Sequence, residues 1–208
     1  MSNNFMNVVF LGTGGHFNVL LDIVKLKKLN VIAVCDIKKN VNNKFKYITE
    51  NELSNFDTKN TFLINAIGFD PSRDTRRSKF LKFKKLGFNF LTLIHPSATV
   101  SSESQINEGS QILSKSSIMP NASIGQNCIV NTKSSVDHDS IIEDNVNLSP
   151  NTTICGNVLV KKNSYIGASA TILNNITIGK NCHIFPGSVV NKNVKDNFNF
   201  INGRVFKS

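Results

Sequence analysis

Ile124-Gly125-Gln126-Asn127-Cys128-Ile129 and Ile178-Gly179-Lys180-Asn181-Cys182-His183 are written to one pattern. An aliphatic residue opens each hexad, and a small residue stands two places before the next aliphatic. Extended in both directions, the pattern runs through Ile94, Val100, Ile106, Ile112, Ile118, Ile124, Val130, Val136, Ile142, Leu148, Ile154, Val160, Ile166, Ile172, Ile178, Ile184 and Val190 without an insertion. Small residues precede most of these by two, among them Ala98, Ser104, Ser110, Ser116, Ala122, Ser134, Ser140, Ser164 and Ala170; Val146, Val158 and Ile176 are the exceptions. A helix repeats every 3.6 residues and a strand every two, so neither yields an uninterrupted six. A chain that turns a corner every six residues does. Three hexads then close a triangular coil of 18 residues with its aliphatics inward, and successive coils stack at the spacing of hydrogen-bonded strands, about 4.8 Å. The period leaves the handedness of the coil open.

Upstream of the hexads the pattern changes. Val8-Val9-Phe10-Leu11 reads as a buried strand running into Gly12-Thr13-Gly14-Gly15-His16, and Phe17 to Leu29 follows as an amphipathic helix. A second apolar run, Val31 to Cys35, ends at Asp36, 24 residues beyond Gly12, where the acidic residue of a βαβ nucleotide site belongs. Thr61 to Ile67, ending at Gly68, is a third strand, Arg73 to Leu86 a helix, and Phe88 to Leu93 a last short strand. The expected architecture is an α/β, Rossmann-like domain over residues 1–95 followed by a coil over residues 96–208. Phe17 stands where G-x-G-x-x-G needs its third glycine, which argues against a dinucleotide and leaves room for a smaller nucleotide ligand.

The 208 residues carry 24 Lys and Arg against 14 Asp and Glu, a net charge of +10. The excess lies mainly in the first 95 residues, on Lys25, Lys27, Lys28 and the run Arg73 to Lys85, at helical spacing and without the aromatic-glycine signature of an RNA-binding sheet. No nucleic-acid partner is expected. No apolar run approaches the roughly 20 residues of a membrane-spanning helix, and Met1 to Met6 has no signal-peptide pattern, so a cytoplasmic protein is expected. Cys35, Cys128, Cys155 and Cys182 form no C-x-x-C pair and read as thiols rather than metal ligands.

The hexads resemble the hexapeptide repeat of left-handed parallel β-helix acyltransferases. Taken with Gly12-x-Gly14-Gly15-His16, Ile94-His95-Pro96, Met119-Pro120, Asn131-Thr132, His138 with its flanking acids, and Cys155-Gly156-Asn157, the chain resembles the bacterial sugar acetyltransferases of the PglD/NeuD type. These are nucleotide-amino-sugar N-acetyltransferases and sialic acid O-acetyltransferases. The resemblance implies a homotrimer, acetyl-CoA in a cleft between adjacent β-helices, and a sugar nucleotide on the N-terminal domain. It departs at the C-terminus, where Phe200 to Ser208 replaces a Gly-x-Pro-Ala loop with a following basic residue.

His138 is flanked by Asp137 and Asp139. An imidazole titrating near neutrality takes a proton from an attacking amine or hydroxyl, and a neighbouring carboxylate fixes its tautomer. The resemblance assigns that carboxylate to Asp139; adjacent strand residues face opposite ways, so a turn must bring the pair together, and Asp137 stays open. Coil arithmetic sets Gly156 one coil beyond His138, with room for a thioester and an N–H for an oxyanion. By the resemblance, Asn131, Asn147, Gly156, Gly167 and Ala168 are the expected acetyl-CoA contacts and Gly12, Gly14, Gly15, His16, Asp36, Gly68 and Arg73 the expected acceptor contacts, and no metal is expected. The expected reaction is acetyl transfer from acetyl-CoA to the amino group of a nucleotide-linked 4-amino sugar used in surface-glycan synthesis. O-acetylation of a sialic acid and a noncatalytic, sugar-nucleotide-binding scaffold are the alternatives.

Overall fold

The computed structural model describes residues 6–36, 44–70 and 74–207. The chain divides into two compact units, Met1–Leu91 and Thr92–Ser208. In the first, β1 (Asn7–Leu11), α1 (Gly15–Leu26), β2 (Asn30–Cys35), β3 (Tyr47–Ile48), α2 (Glu50–Leu53), β4 (Thr61–Asn65), α3 (Thr75–Lys85) and β5 (Asn89–Phe90) follow one another. The sheet is parallel in the order β3-β2-β1-β4-β5. Strand order reverses between β1 and β4, so the carboxyl ends of those strands open the crevice in which doubly wound sheets hold ligands.

Alternation sorts the core. Val9, Leu11, Ala33, Cys35 and Leu63 face Leu53 of α2 and Phe80 and Phe83 of α3, while Phe10 meets Phe17 of α1 edge-on at 4.9 Å. Burying a side chain of this size contributes about 1.5–3 kcal/mol. Two elements escaped the sequence reading: β3 is only two residues long, and α2 only four. α2 had a signal, since Thr49-Glu50-Asn51-Glu52 forms a full capping box.

The second unit is a three-sided parallel coil. Its first face stacks Leu93–Ile94, Gln111–Ile112, Ile129–Val130, Asn147–Leu148, Tyr165–Ile166 and His183–Ile184; its second runs from Thr99–Val100 to Val189–Val190, and its third from Gln105–Ile106 to Thr177–Ile178. Within the coil's three faces, strands pair at a register of 18, as Ser117 with Ser135 and Ile118 with Val136. Leu93–Ile94 pairs with Gln111–Ile112, so the coil begins before residue 96 and the last strand of the α/β sheet ends at Phe90.

The inward aliphatics Ile112, Ile118, Ile124, Val130, Val136, Leu148, Ile154, Val160, Ile166, Ile172, Ile178, Ile184 and Val190 are fully buried. The small residues sit inside the corners, where a hydroxyl satisfies the neighbouring coil: Ser134 Oγ donates to the carbonyl of Ser149 at 2.8 Å and accepts the Thr152 N–H at 3.3 Å. Every sixth residue from Gly109 to Gly187 has a left-handed backbone, most of them Asn. Asn and Asp tolerate that conformation better than other side-chain-bearing residues. Their amides also stack from coil to coil, as Asn127 to Asn145 at 2.9 Å and Asn163 to Asn181 at 3.0 Å. The chain closes with an antiparallel hairpin, Phe198–Ile201 against Arg204–Lys207, that extends the first face. Among the described residues no helix is long and apolar enough to cross a membrane.

Candidate active site

Two groups of residues are candidates for the chemistry, one in each unit. In the first unit a cleft of about 340 Å³ opens at the carboxyl ends of β1, β2 and β4. Gly12, Gly14, Gly15, His16, Asp36 and Gly68 all line it, so six of the seven expected acceptor contacts come together; Arg73 lies outside the described residues. Gly12 takes φ +94°, and a side chain there would collide with Ile67. Nothing stands within 4 Å of where side chains on Gly14 and Gly15 would be, which leaves the α1 N-terminus open to close approach. The helix has no acidic residue in its first turn and no side-chain cap. Such an end favours an anion through its N–H groups and dipole.

Asp36 binds back into the turn: its Oδ2 accepts the Thr13 N–H at 2.7 Å and the Thr13 hydroxyl at 2.5 Å. Thr13 thereby couples the glycine turn to the end of β2, a role its position between glycines does not advertise. Arg76 is buried, with Nη1 donating to the carbonyls of Asn65 and Ile67, both at 2.8 Å, so it holds the loop after β4. Glu50, Thr75 and Lys79 also line the cleft and were not expected there.

In the second unit His138 stands at the corner between the second and third faces. Asp139 has φ +59°, and this left-handed step turns two consecutive side chains toward each other. His138 Nδ1 lies 2.8 Å from Asp139 Oδ2. A carboxylate only accepts, so Nδ1 carries the hydrogen and Nε2 is the free basic nitrogen of the neutral ring. Asp137 instead accepts the backbone N–H of His138 at 2.8 Å, which separates the two acids the sequence left open. The hydrogen bond that His138 donates to Asp139, with the charge of Asp137, raises the His138 pKa above its ordinary value. Asp139 is held low by His138 and by the Asn121 amide, which donates to its Oδ1 at 3.0 Å. Asn121 lies 18 residues before Asp139, a partner that coil arithmetic alone could have named.

Gly156 does lie one coil beyond His138, but its missing side chain is used differently from the expectation. A Cβ there would stand 2.7 Å from His138 Nε2 and Cε1, so the imidazole itself occupies the space expected for a thioester. Gly167 likewise makes way for the backbone of Pro186 in the next coil. Asn131 accepts the Thr132 N–H through its side chain at 2.8 Å, and Asn147 is buried with its amide on Ser149 Oγ at 3.1 Å. Asn131, Gly167 and Ala168 belong to the corner between the first and second faces and Asn147 to the first face itself. The structure therefore does not bring them to the His138 edge within one chain. His183 is stacked on Phe185 at 4.4 Å and meets Tyr165 edge-on, and burial lowers its pKa. Among the described residues no cluster of three or more His, Cys, Asp or Glu is placed to hold a metal.

Residues 7–80 match the family described as the PglD N-terminal domain. The acetyltransferase domain of PglB from Neisseria gonorrhoeae, solved with acetyl coenzyme A, is 25% identical, with a TM-score of 0.84 over 94% of this chain and 95% of that one. A histidine-to-asparagine mutant of perosamine N-acetyltransferase from Caulobacter crescentus, solved with CoA and GDP-perosamine, is also 25% identical, with a TM-score of 0.88 over 97% of each chain. WeeI from Acinetobacter baumannii, 22% identical, shares the fold with a TM-score of 0.85 over 97% of this chain and all of the other, 100%. No curated protein matches the sequence.

Fold and site together define the class: an α/β domain of PglD type joined to the left-handed parallel β-helix of hexapeptide acyltransferases. Within that class the chain resembles the PglD-type sugar N-acetyltransferases, as the motifs of its sequence implied.

Proposed function

We propose that the chain transfers the acetyl group of acetyl-CoA to the amino group of a nucleotide-linked 4-amino sugar destined for a surface glycan. The observation that carries this reading is the His138–Asp139 pair, 2.8 Å apart at an exposed corner with Nε2 free. Nε2 of His138 accepts the proton of the amine as its nitrogen adds to the thioester carbonyl, and returns a proton to the departing CoA sulfur. Asp139 stabilises the imidazolium between these steps, and the Gly156 N–H is the proposed donor to the oxyanion. Held reactants supply the remaining advantage through proximity.

The open α1 terminus beside Gly14 and Gly15 favours an acceptor bearing a diphosphate over a free sialic acid. Asn131, Gly167 and Ala168 lie on a different prism edge from His138, as residues contributed to one cleft by two neighbouring copies would. Likeness to proteins solved with acetyl-CoA and with GDP-perosamine supports the same assignment.

The test incubates the protein with acetyl-CoA and UDP-, dTDP- and GDP-linked 4-amino sugars, with free sialic acids alongside, and follows acetylated product by mass spectrometry. One sugar nucleotide is expected to be acetylated, and His138→Ala to lower its turnover by about 10²–10⁴-fold. Wild-type turnover in that variant removes His138 as the base, and acetylation of sialic acid alone reassigns the acceptor.

A further inference from the structure

The His138–Asp139 pair is exposed, with 57% and 52% of the two side chains open to solvent. Water competes for both partners of a pair so placed, and such pairs are weak on their own. A carboxylate on a rotatable side chain then needs a second contact to keep one oxygen on the ring. The preceding coil supplies it. Asn121 Nδ2 donates to Asp139 Oδ1 at 3.0 Å while Asp139 Oδ2 accepts from His138 Nδ1 at 2.8 Å, so each oxygen of the carboxylate has its own donor.

The corners of the coil explain how Asn121 comes to stand there. Asn121, Asp139, Asn157 and Asn175 follow one another at the register of the coil, with left-handed φ of +60°, +59°, +56° and +63°. The Asp139 N–H donates to the Pro120 carbonyl at 3.2 Å, which ties the two coils together beside Asn121 and brings side chain 121 against side chain 139. Elsewhere in the coil the same stacking joins asparagine to asparagine, as Asn157 to Asn175 at 2.7 Å and Asn163 to Asn181 at 3.0 Å. Asp139 is the one carboxylate among the described residues with left-handed φ. An asparagine presents one acceptor group and one donor group, whereas a carboxylate presents acceptors only and so takes the Asn121 amide and the ring N–H together. The charged groups acting on the ring are Asp139 and Asp137, and the charge facing Asp139 is His138 itself.

We infer that Asn121 is a positioning residue for the acetyl transfer: its amide pins the Asp139 carboxylate in the orientation that keeps the hydrogen on His138 Nδ1 and leaves Nε2 free to take a proton. This rests on the reading of His138 as the base. Joining two coils is the role Asn121 would have without catalysis, and that role moves neither the tautomer nor the titration of His138.

The experiment uses Asn121→Gly, since glycine adopts the left-handed φ without strain and only the amide is lost. Asn163→Gly, also at a left-handed position, removes an equivalent bond between coils at another corner and is the control. Nitrogen-15 NMR of the histidine-labelled full chain, with the His138 signals identified by their loss in His138→Ala, reads tautomer and titration without any substrate. In Asn121→Gly the Nδ1–H form is expected to lose its dominance and the His138 pKa to fall toward its ordinary value, because the hydrogen bond to Asp139 is the largest cause of its rise. Turnover is expected to fall about fivefold with KM little changed, the scale of a modest coupling between neighbours. In an Asp139→Asn background the same change is expected to cost nothing more, since it acts only through that carboxylate. Asn163→Gly is expected to leave tautomer, titration and turnover as they are. An unchanged His138 tautomer and titration in Asn121→Gly overturns the inference, as does an equal change in Asn163→Gly or an additive loss in the double variant. Wild-type turnover in His138→Ala overturns the proposed reaction, and with it any catalytic role for Asn121, even where the tautomer has shifted.

Discussion

At the scale of single residues, the corner of the coil sets a carboxylate against the ring of His138, the proposed base. Asp139 raises the pKa of His138, so the folded protein holds that proton more tightly than the unfolded chain. The stability this contributes is fully present below the ordinary imidazole pKa and is lost as pH rises through the raised one. In the proposed mechanism activity runs the other way: Nε2 must be unprotonated, so kcat/KM is expected to climb with pH through the raised value. Asp139→Asn is expected to move that acid limb to lower pH and to cut kcat at least about tenfold, because the amide no longer fixes the tautomer. A pH–rate profile checks both, and an unmoved limb with undiminished rate would show that Asp139 is a corner residue only. His138 and its acidic neighbours were legible in the sequence. The choice between Asp137 and Asp139 was not, because it depends on a left-handed φ at residue 139 that turns one carboxylate to the ring and leaves the other on the backbone.

At the scale of elements, the six-residue period set the strands, the inward aliphatics and the register of 18, and the structure follows it through the whole prism. Short elements of the α/β unit were less legible. Tyr47–Ile48 is too brief for alternation to register, and its place in the sheet comes from pairing with Val34 and Cys35. Stacking also decides what the coil glycines are for. Gly156→Ala places a methyl group 2.7 Å from the His138 ring, so the ring must move off its position beside Asp139. Because Gly156 does not have a positive φ, the change strains contact rather than backbone. Turnover is expected to fall about 10²-fold, the scale of a 1 Å misplacement of a catalytic group, with KM little changed. Steady-state kinetics beside a thermal melt separates that outcome from simple unfolding.

At the scale of the whole molecule, the His138 edge and the edge carrying Asn131, Gly167 and Ala168 are different edges of one prism. If neighbouring copies share each site, His138→Ala and Asn131→Ala, each inactive alone, are expected to restore about a quarter of wild-type activity when refolded as an equal mixture, since one site arrangement in four is then intact. No restoration, or a monomer by light scattering, would place the site within one chain. The sequence by itself determined the coil, the α/β domain before it and the residues able to do acid–base work, because periodicity and turn chemistry are local properties of the chain. Only the tertiary structure decided that Gly156 accommodates the imidazole, that Arg76 is spent on backbone carbonyls and that Glu50 meets Lys79 and Lys82. Those contacts join residues that are neighbours only after the strands have stacked or the helices have packed, and no local pattern encodes which side chain will fill a given space.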